Sequence, residues 1–485
     1  MKKIKNNNLL LILLIFIYGC ELDTVPTTSI NEEKVYENLQ NVEYVINGTW
    51  SYIWETSNTV ACPGWSTLLL VNDFMGSDVV ETGKYGYSDV YKYTSMASGT
   101  SSHVVLIWRL AYKAIDNMNN ILKYVDNVDG DDNYRNRIKA QAYAFRGYMY
   151  LNLASYYAGA YSQDPNQPCV PIYTEPTNPE TEGNPRSTLS QVYKRAEDDL
   201  VEGYKIMGDY NRSAKYKIDK NVVAGLLARL YLQTGNWDKA HEYAALAHKE
   251  YQWMAQSDYL GGFNELSNAE WIWGQGSTTD QSLASTSFDY KDVYSESSGY
   301  YSMMADPYFM DLFDQNDIRF QLFEWKTAGN RSPGYLMYKK FIYRDNGTAD
   351  IVIMRKAEMV LIEAEALAEQ DLLDESITML NSLRNARGAD TPDLSGLSKE
   401  DLIKEILIER RKELFGEGFS LLDIKRRELK VERNAYPADE YIPGTNFTKK
   451  GHSTLRLPNA TDFVPNSPYY IFSIPATEYT NNPNL

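Results

Sequence analysis

Two stretches far apart in the chain follow the same plan, and together they limit the folds open to it. Leu227 to Ala240 (Leu-Ala-Arg-Leu-Tyr-Leu-Gln-Thr-Gly-Asn-Trp-Asp-Lys-Ala) reads as a helix, a tight turn and a second helix. Ala364 to Ser376 repeats that plan. Small residues let the paired helices approach, and a large apolar residue after the turn, Trp237 or Leu373, plugs the junction. Such hairpins cannot bury their apolar faces alone and must stack on one another. The copies are not in tandem, so folding has to reassemble them across the insert that separates them.

The rest of the chain fits a helical scaffold with long loops. Ile107 to Val128 carries apolar residues at helical spacing and ends at Asp129-Gly130-Asp131-Asp132, which reads as a helix-capping loop. A second helix covers Tyr134 to Tyr157, and prolines 165, 168, 171, 176, 179 and 185 then mark an extended loop. Helices resume over Thr188–Met207 and Asp219–Lys249. They return over Ile351–Ala386, with a break near Gln370-Asp371, and over Lys399–Glu428. Gln252 to Asp350 is rich in Ser, Gly, Asn and aromatics, a long irregular stretch of the kind that carries function. The residues from Leu429 onward read as a proline-punctuated tail.

At the start, Lys2, Lys3 and Lys5 precede ten apolar residues, Leu9 to Tyr18. A basic segment followed by a short apolar core is a secretory signal, and this core is too short to span a bilayer. Gly19 directly before Cys20 resembles a bacterial lipobox, in which Cys20 becomes the acylated first residue. An ordinary signal cleaved nearby is the alternative. No other segment is long and apolar enough to cross a membrane.

A net charge of −17 argues against nucleic acid, whose phosphates demand a basic footprint. Besides Cys20 only Cys62 and Cys169 remain, and two unpaired buried thiols are expected. His241 and His248 can share a helix face without any H-E-x-x-H pattern, so packed or solvated histidines are expected rather than a metal pair. No Walker loop, G-x-G-x-x-G or G-x-S-x-G is present. Glu363 and Glu365 diverge on a helix, and Glu409 to Glu413 reads as an ion-paired, charge-laced helix. Nothing here points to catalysis, a cofactor or a metal.

Several stretches, in order, resemble one family. Cys20-Glu21-Leu22-Asp23 with Pro26 is similar to its mature start, and Trp108 to Asn120 to its "W…Y…I…N" helix. Ala140 to Leu151, with Arg146, resembles "A-E-A-x-F-L-R-A-x-x-Y-x-x-L". Arg355 to Ala366 with Leu380 to Arg384 resembles "R-x-A-E…A-E-A…L-N-x-x-R". Glu409 to Arg426 resembles "E-R-x-x-E-L…E-G-x-R-x-x-D-L-x-R", with Ser420 in place of the usual Arg. Ile474-Pro475-Ala476-Thr477-Glu478 and Asn482-Pro483 resemble the family's end. By these motifs the chain resembles the SusD/RagB family of surface lipoproteins.

The resemblance implies a mostly α fold with little β: tetratricopeptide-like helix hairpins under long inserted loops. Residues 1–19 would be a lipoprotein signal and 20–485 a single SusD-like domain. Its helical scaffold would cover about 31–250 and 350–430, with a ligand-face insert at 252–350 and a tail at 430–485. It also implies a non-catalytic protein, tethered to the outer membrane through Cys20 and facing the cell exterior. Such proteins capture an oligosaccharide, or a peptide, for a SusC-like TonB-dependent transporter. A surface glycoside hydrolase is the rival reading, needing close carboxylates in a cleft.

A sugar site uses ring faces for stacking and planar polar groups for hydroxyls. Residue type and location single out Trp65, Asn72, Asp73, Tyr85, Tyr87, Tyr91 and Tyr93 in the first loop region. In the insert they single out Trp271, Trp273, Phe288, Tyr290, Tyr294, Tyr300 and Tyr301. The alternation Tyr85-x-Tyr87 and Tyr91-x-Tyr93 suggests a short strand with some rings facing the core.

Overall fold

The structure, a computed structural model, describes residues 32–57, 59, 61–83, 86–279, 302–327 and 333–485. Cys20 and the leader therefore lie outside the described residues. The longer helices are α1 (Leu39–Glu55), α2 (Ser66–Phe74), α3 (Ser102–Tyr124), α4 (Asp132–Tyr156), α5 (Leu189–Ile206), α6 (Lys220–Thr234) and α7 (Trp237–His248). They continue as α8 (Lys356–Glu369), α9 (Leu373–Ala386), α10 (Lys399–Leu414) and α11 (Ser420–Arg426).

Local chemistry sets their ends. Asp131 caps α4 by accepting from the Tyr134 N–H at 2.8 Å, so the acidic turn is a cap, as its sequence suggests. Thr188 and Gln191 form a reciprocal capping box on α5. Gly235 closes α6 at φ 71°, a left-handed conformation that favours glycine, and Asn236 at once caps α7. That is the tight turn of the first hairpin. The second, α8–α9, turns through Asp371 at φ 62°.

The two hairpins meet. Helix α7 packs directly against α8, although the insert separates them in sequence. Packing runs on from α3 against α4, α4 against α5, α5 against α6, and α8 against both α9 and α10. Gly147 of α4 and Gly203 of α5 make the α4–α5 approach close. A Cβ on Gly147 would come within 2.8 Å of Leu200, and one on Gly203 within 3.0 Å of the Ala140 carbonyl oxygen.

Two helical expectations are corrected. Ile351–Arg355 is a strand, because its run of β-branched residues suits a ladder better than a helix turn. It pairs antiparallel with Trp271–Gln275. The Lys399–Glu428 helix is broken at Phe415 to Phe419, where Gly416 and Gly418 take φ of 78° and 83°. A small sheet of β1 (Val79–Glu81), β3 (Met303–Ala305), β5 (Leu336–Tyr338) and β4 (Phe323–Trp325), in that order, is antiparallel throughout. The Trp271–Gln275 and Ile351–Arg355 strands are β2 and β6.

The charge-laced stretch of α10 is not a solvated face. Glu409 and Glu413 point into the interior, where Glu413 receives Arg319 at 2.8 Å, Arg355 at 2.5 Å and Arg387 at 2.8 Å. Arg355 also forks onto Glu417 at 2.8 and 2.6 Å and reaches Glu270 at 2.8 Å. Lys340 donates to Glu417 at 2.5 Å and to the Glu413 and Phe415 carbonyls. Helical spacing looks the same whether a charged residue meets water or a buried partner of opposite sign.

Burial alone would raise these carboxyls. Arg387, Arg355 and Arg319 outweigh it at Glu413 and hold that carboxyl well below its usual range. At Glu409 burial is outweighed by Arg319, Lys412 and Arg384, which bring it to about 2. Because both folded values lie below the unfolded ones, the carboxylates contribute their full stability above the unfolded value of 4.5. That contribution drains away as pH falls toward 2. Urea melts across pH should show stability level above about pH 5 and falling steeply below about 4.5. Glu413→Ala, which removes the carboxylate shared by three buried guanidinium groups, should lower stability by about 3–5 kcal/mol in the same melts at neutral pH.

Candidate functional site

The described aromatic candidates are core residues. Trp65 is 1 % exposed and its Nε1 donates to the Tyr148 hydroxyl at 2.9 Å. The Tyr148 ring lies 5.1 Å from Trp273, which in turn lies 4.9 Å from Trp50. The fold thus unites Trp65 and Trp273 from distant parts of the chain, but around a packed centre. Trp271 is buried beside it on the same strand. Tyr87 stacks on Phe74 at 4.6 Å. Tyr91 meets His452 Nδ1 at 2.5 Å, with the Arg433 guanidinium 3.9 Å from its ring centroid. Tyr93, at φ 64°, donates to the Met75 carbonyl.

No strand forms at these tyrosines. Ser88–Tyr91 is a helical turn, and the rings of Tyr87, Tyr91 and Tyr93 are all fully buried. Asn72 is buried, donating to the Tyr156 hydroxyl and to the Leu68 carbonyl. Asp73 accepts the Gly418 N–H at 3.0 Å, and burial raises its carboxyl to about 7 against the pull of the Gly418 and Ser420 N–H groups. Each of these described residues is held by partners within the protein, and Asp73 also lines a cavity of about 400 Å³ with Arg410, Arg411 and Asp423. Tyr85, Phe288, Tyr290, Tyr294, Tyr300 and Tyr301 lie outside the described residues.

The remaining expectations resolve simply. Cys62 and Cys169 are both buried and unpaired, and burial raises their thiols, that of Cys62 to about 11. His248 and His241 both turn to Glu363, at 2.6 and 3.4 Å, while Glu365 faces Arg426 and Arg427. The two glutamates diverge as their spacing requires. Among the described residues, no group of three or more His, Cys, Asp or Glu side chains is placed to hold a metal ion.

What the fold does assemble is an open groove of about 700 Å³ on the loop side. Thr59 and Ala61 line it from the loop after α1. Gly86, Asp89, Thr94, Ser95, Ser98 and Thr100 to His103 line it from the segment between β1 and α3. The walls are braced. Ser57 bridges to Pro63, the Trp65 N–H reaches the Ile53 carbonyl at 2.7 Å, and Thr94 and Ser95 N–H groups converge on the Asp89 carbonyl. Ser95 Oγ lies 2.6 Å from Ser101 Oγ and 3.0 Å from His103 Nδ1. Burial pushes His103 down to about 4, so it sits neutral at physiological pH.

The described residues that flank 280–301 are held to the first part of the chain and to Asp350. On the N-terminal side, Gln275 Oε1 accepts from Trp50 Nε1 of α1 at 2.5 Å, and Ser277 N–H donates to Asp350 at 2.8 Å. On the C-terminal side, the Ser302 carbonyl accepts from the Thr82 N–H, four residues before Gly86. Chemically, the groove offers hydroxyl donors and acceptors with one carboxylate, Asp89, among its described lining residues. Such a surface suits hydrogen bonding to a polyhydroxylated ligand.

The sequence reading of the first region named rings, an amide and a carboxylate, whereas the groove is lined by other residues of that region. The signal was the run Ser95 to His103, with its five hydroxyl side chains. Aromatic residues drew the attention instead, although large rings are what cores consume first.

A helical-hairpin scaffold that gathers loops and an insert on one side defines a binding protein of the SusD-like class. The comparisons agree. The model of the SusD family matches residues 243–485, and a second, described as "starch-binding associating with outer membrane", matches residues 72–232. A SusD-like carbohydrate binding protein from Bacteroides vulgatus ATCC 8482 is 42% identical, with 93% of this chain and 98% of that one covered at a TM-score of 0.87. SusD-like protein P2 of Formosa agariphila is 23% identical, covering 95% of this chain and 98% of its own. A SusD superfamily protein of Bacteroides thetaiotaomicron, 23% identical, shares the fold over 92% of this chain and 98% of its own at a TM-score of 0.77. The chain belongs to the SusD family. That family is one of carbohydrate-binding proteins associated with the outer membrane.

If the buried candidates serve packing, removing one should cost stability. Trp273→Ala is expected to lower unfolding free energy by about 3–5 kcal/mol in denaturant melts. A loss under 1 kcal/mol would contradict its place in the core.

Proposed function

We propose that the chain is a non-catalytic glycan-capture lipoprotein, anchored in the outer membrane through an acylated Cys20 and facing the cell exterior. It holds an oligosaccharide on its loop side and delivers it to a SusC-like TonB-dependent transporter. The observation that carries this reading is an open, hydroxyl-lined groove in a chain of the SusD family. Hydroxyls and Asp89 supply the polar half of a sugar site. The tyrosines of the insert, Tyr290, Tyr294, Tyr300 and Tyr301 with Phe288, and Tyr85, supply the stacking half. The scaffold contributes rigidity, which spares the ligand the cost of ordering its site.

Calorimetry against a glycan panel tests this. One series of oligosaccharides should bind, and the paired change Tyr300→Ala and Tyr301→Ala should weaken it by roughly tenfold or more. Asp89→Ala should weaken it by several-fold, the worth of a single hydrogen bond to a charged group. Release of smaller sugars during incubation would favour a hydrolase, and binding of peptides alone would favour a peptide-capturing relative. Separately, Cys20→Ala should move the protein from the membrane fraction to the soluble one.

A further inference from the structure

A second cleft, of about 520 Å³, opens along the same helix that ends the groove. Its floor is aromatic. Trp108 and Tyr112 of α3 lie 4.6 Å apart by ring centroid, and Tyr173 of the proline-rich loop meets Tyr112 edge-on at 6.0 Å. Its rim is polar, with Arg109 and Lys113 exposed on α3 and Asn178 exposed on the facing loop. Rings below and planar or cationic donors above form the combination that takes a sugar ring.

The cleft is preformed. The Tyr112 hydroxyl donates to the Pro171 carbonyl at 2.7 Å, and Asn119 reaches the Tyr173 and Glu175 carbonyls at 3.2 and 3.0 Å. Asp116 accepts from both the N–H and hydroxyl of Thr177, and Asn482 of the tail donates to the Asn184 carbonyl at 2.7 Å. Three segments distant in sequence are locked together around it.

Groove and cleft lie on one stripe. Ser102, Val105, Arg109, Lys113 and Asp116 recur every three or four residues, so they share a face of α3. Ser102 lines the groove, and the other four line the cleft. At about 1.5 Å per residue, Ser102 to Lys113 spans roughly 16 Å, more than one sugar ring. The tail links the two: Ala476 N–H donates to the Gly99 carbonyl beside the groove, and its neighbours Pro475 and Thr477 line the cleft.

We infer that the cleft is a second saccharide subsite, continuous with the groove, so that the protein grips a chain of several sugars along α3. The inference rests on the glycan-capture reading and adds where a long ligand runs and why length matters. Two subsites on one chain raise affinity by effective concentration, with no new contact at the first.

The test uses the purified protein with matched short and long oligosaccharides: the disaccharide and heptasaccharide of the malto, cello, laminari and xylo series. Calorimetry gives affinity, and hydrogen exchange reports residues 86–103 and 171–183 separately. In the series that binds, the heptasaccharide should bind roughly tenfold tighter than the disaccharide and protect both segments. Asn178→Trp, which fills the mouth of the cleft from an exposed loop position, should erase that gain and the protection at 171–183. Protection at 86–103 and disaccharide affinity should persist. Lys113→Ala should reduce the gain without altering the fold of the loop. A heptasaccharide that protects 86–103 alone, with affinity unmoved by either change, overturns the second subsite and leaves glycan capture standing. Protection at neither segment in all four series overturns both readings.

Discussion

A buried charge network holds the insert to the scaffold, and the placement of the loop side depends on it. Arg355 ends β6, Arg319 lies in the insert, Arg387 follows α9, and all three meet on Glu413 of α10. Glu270, just before β2, closes the circuit by accepting from Arg355 and Arg387. Charges out of water are costly, so the network is stable only when every partner is present. A misplaced insert would leave guanidinium groups buried and unpaired. The network therefore selects one arrangement more than it adds net stability.

That selection matters because the scaffold is interrupted. The α6–α7 and α8–α9 hairpins must stack across the long intervening segment, and apolar faces alone tolerate sliding. Ion pairs with fixed fork geometry do not. Arg229 of α6 adds a second lock, reaching Glu358 of α8 at 2.6 Å and the Ile353 carbonyl of β6. With both locks engaged, β2 and β6 pair antiparallel through a bulge near Trp273. A surface that binds a flexible ligand benefits from such fixed pairing, since the scaffold has already met the ordering cost.

Much of the scaffold was legible residue by residue. Asp131, Thr188 and Gly235 mark helix ends by chemistry that acts within a few positions, so their roles survive without knowledge of the fold. Ile351 to Arg355 did not, because a short apolar run reads alike as strand or helix until its partner strand, Trp271 to Gln275, is known. Glu409 to Glu413 was legible as ion-paired but not as buried. Of the candidate groove, the stretch of chain was legible and the lining residues were not. Trp65, Tyr87, Tyr91 and Trp273 have the right chemistry for a sugar, yet each is enclosed by rings or guanidinium groups from remote segments.

By itself the sequence determined the repeated hairpin plan and the helix caps, because each depends on residues within one or two turns of one another. It also determined, through ordered motifs along the chain, the family to which the protein belongs. Only the tertiary structure decided which charges are buried, which aromatics are spent on the core, and that Ser95 to His103 lines a groove with Thr59 and Ala61. Those outcomes depend on contacts between residues hundreds of positions apart, and a linear pattern of polarity carries no record of who the neighbour is.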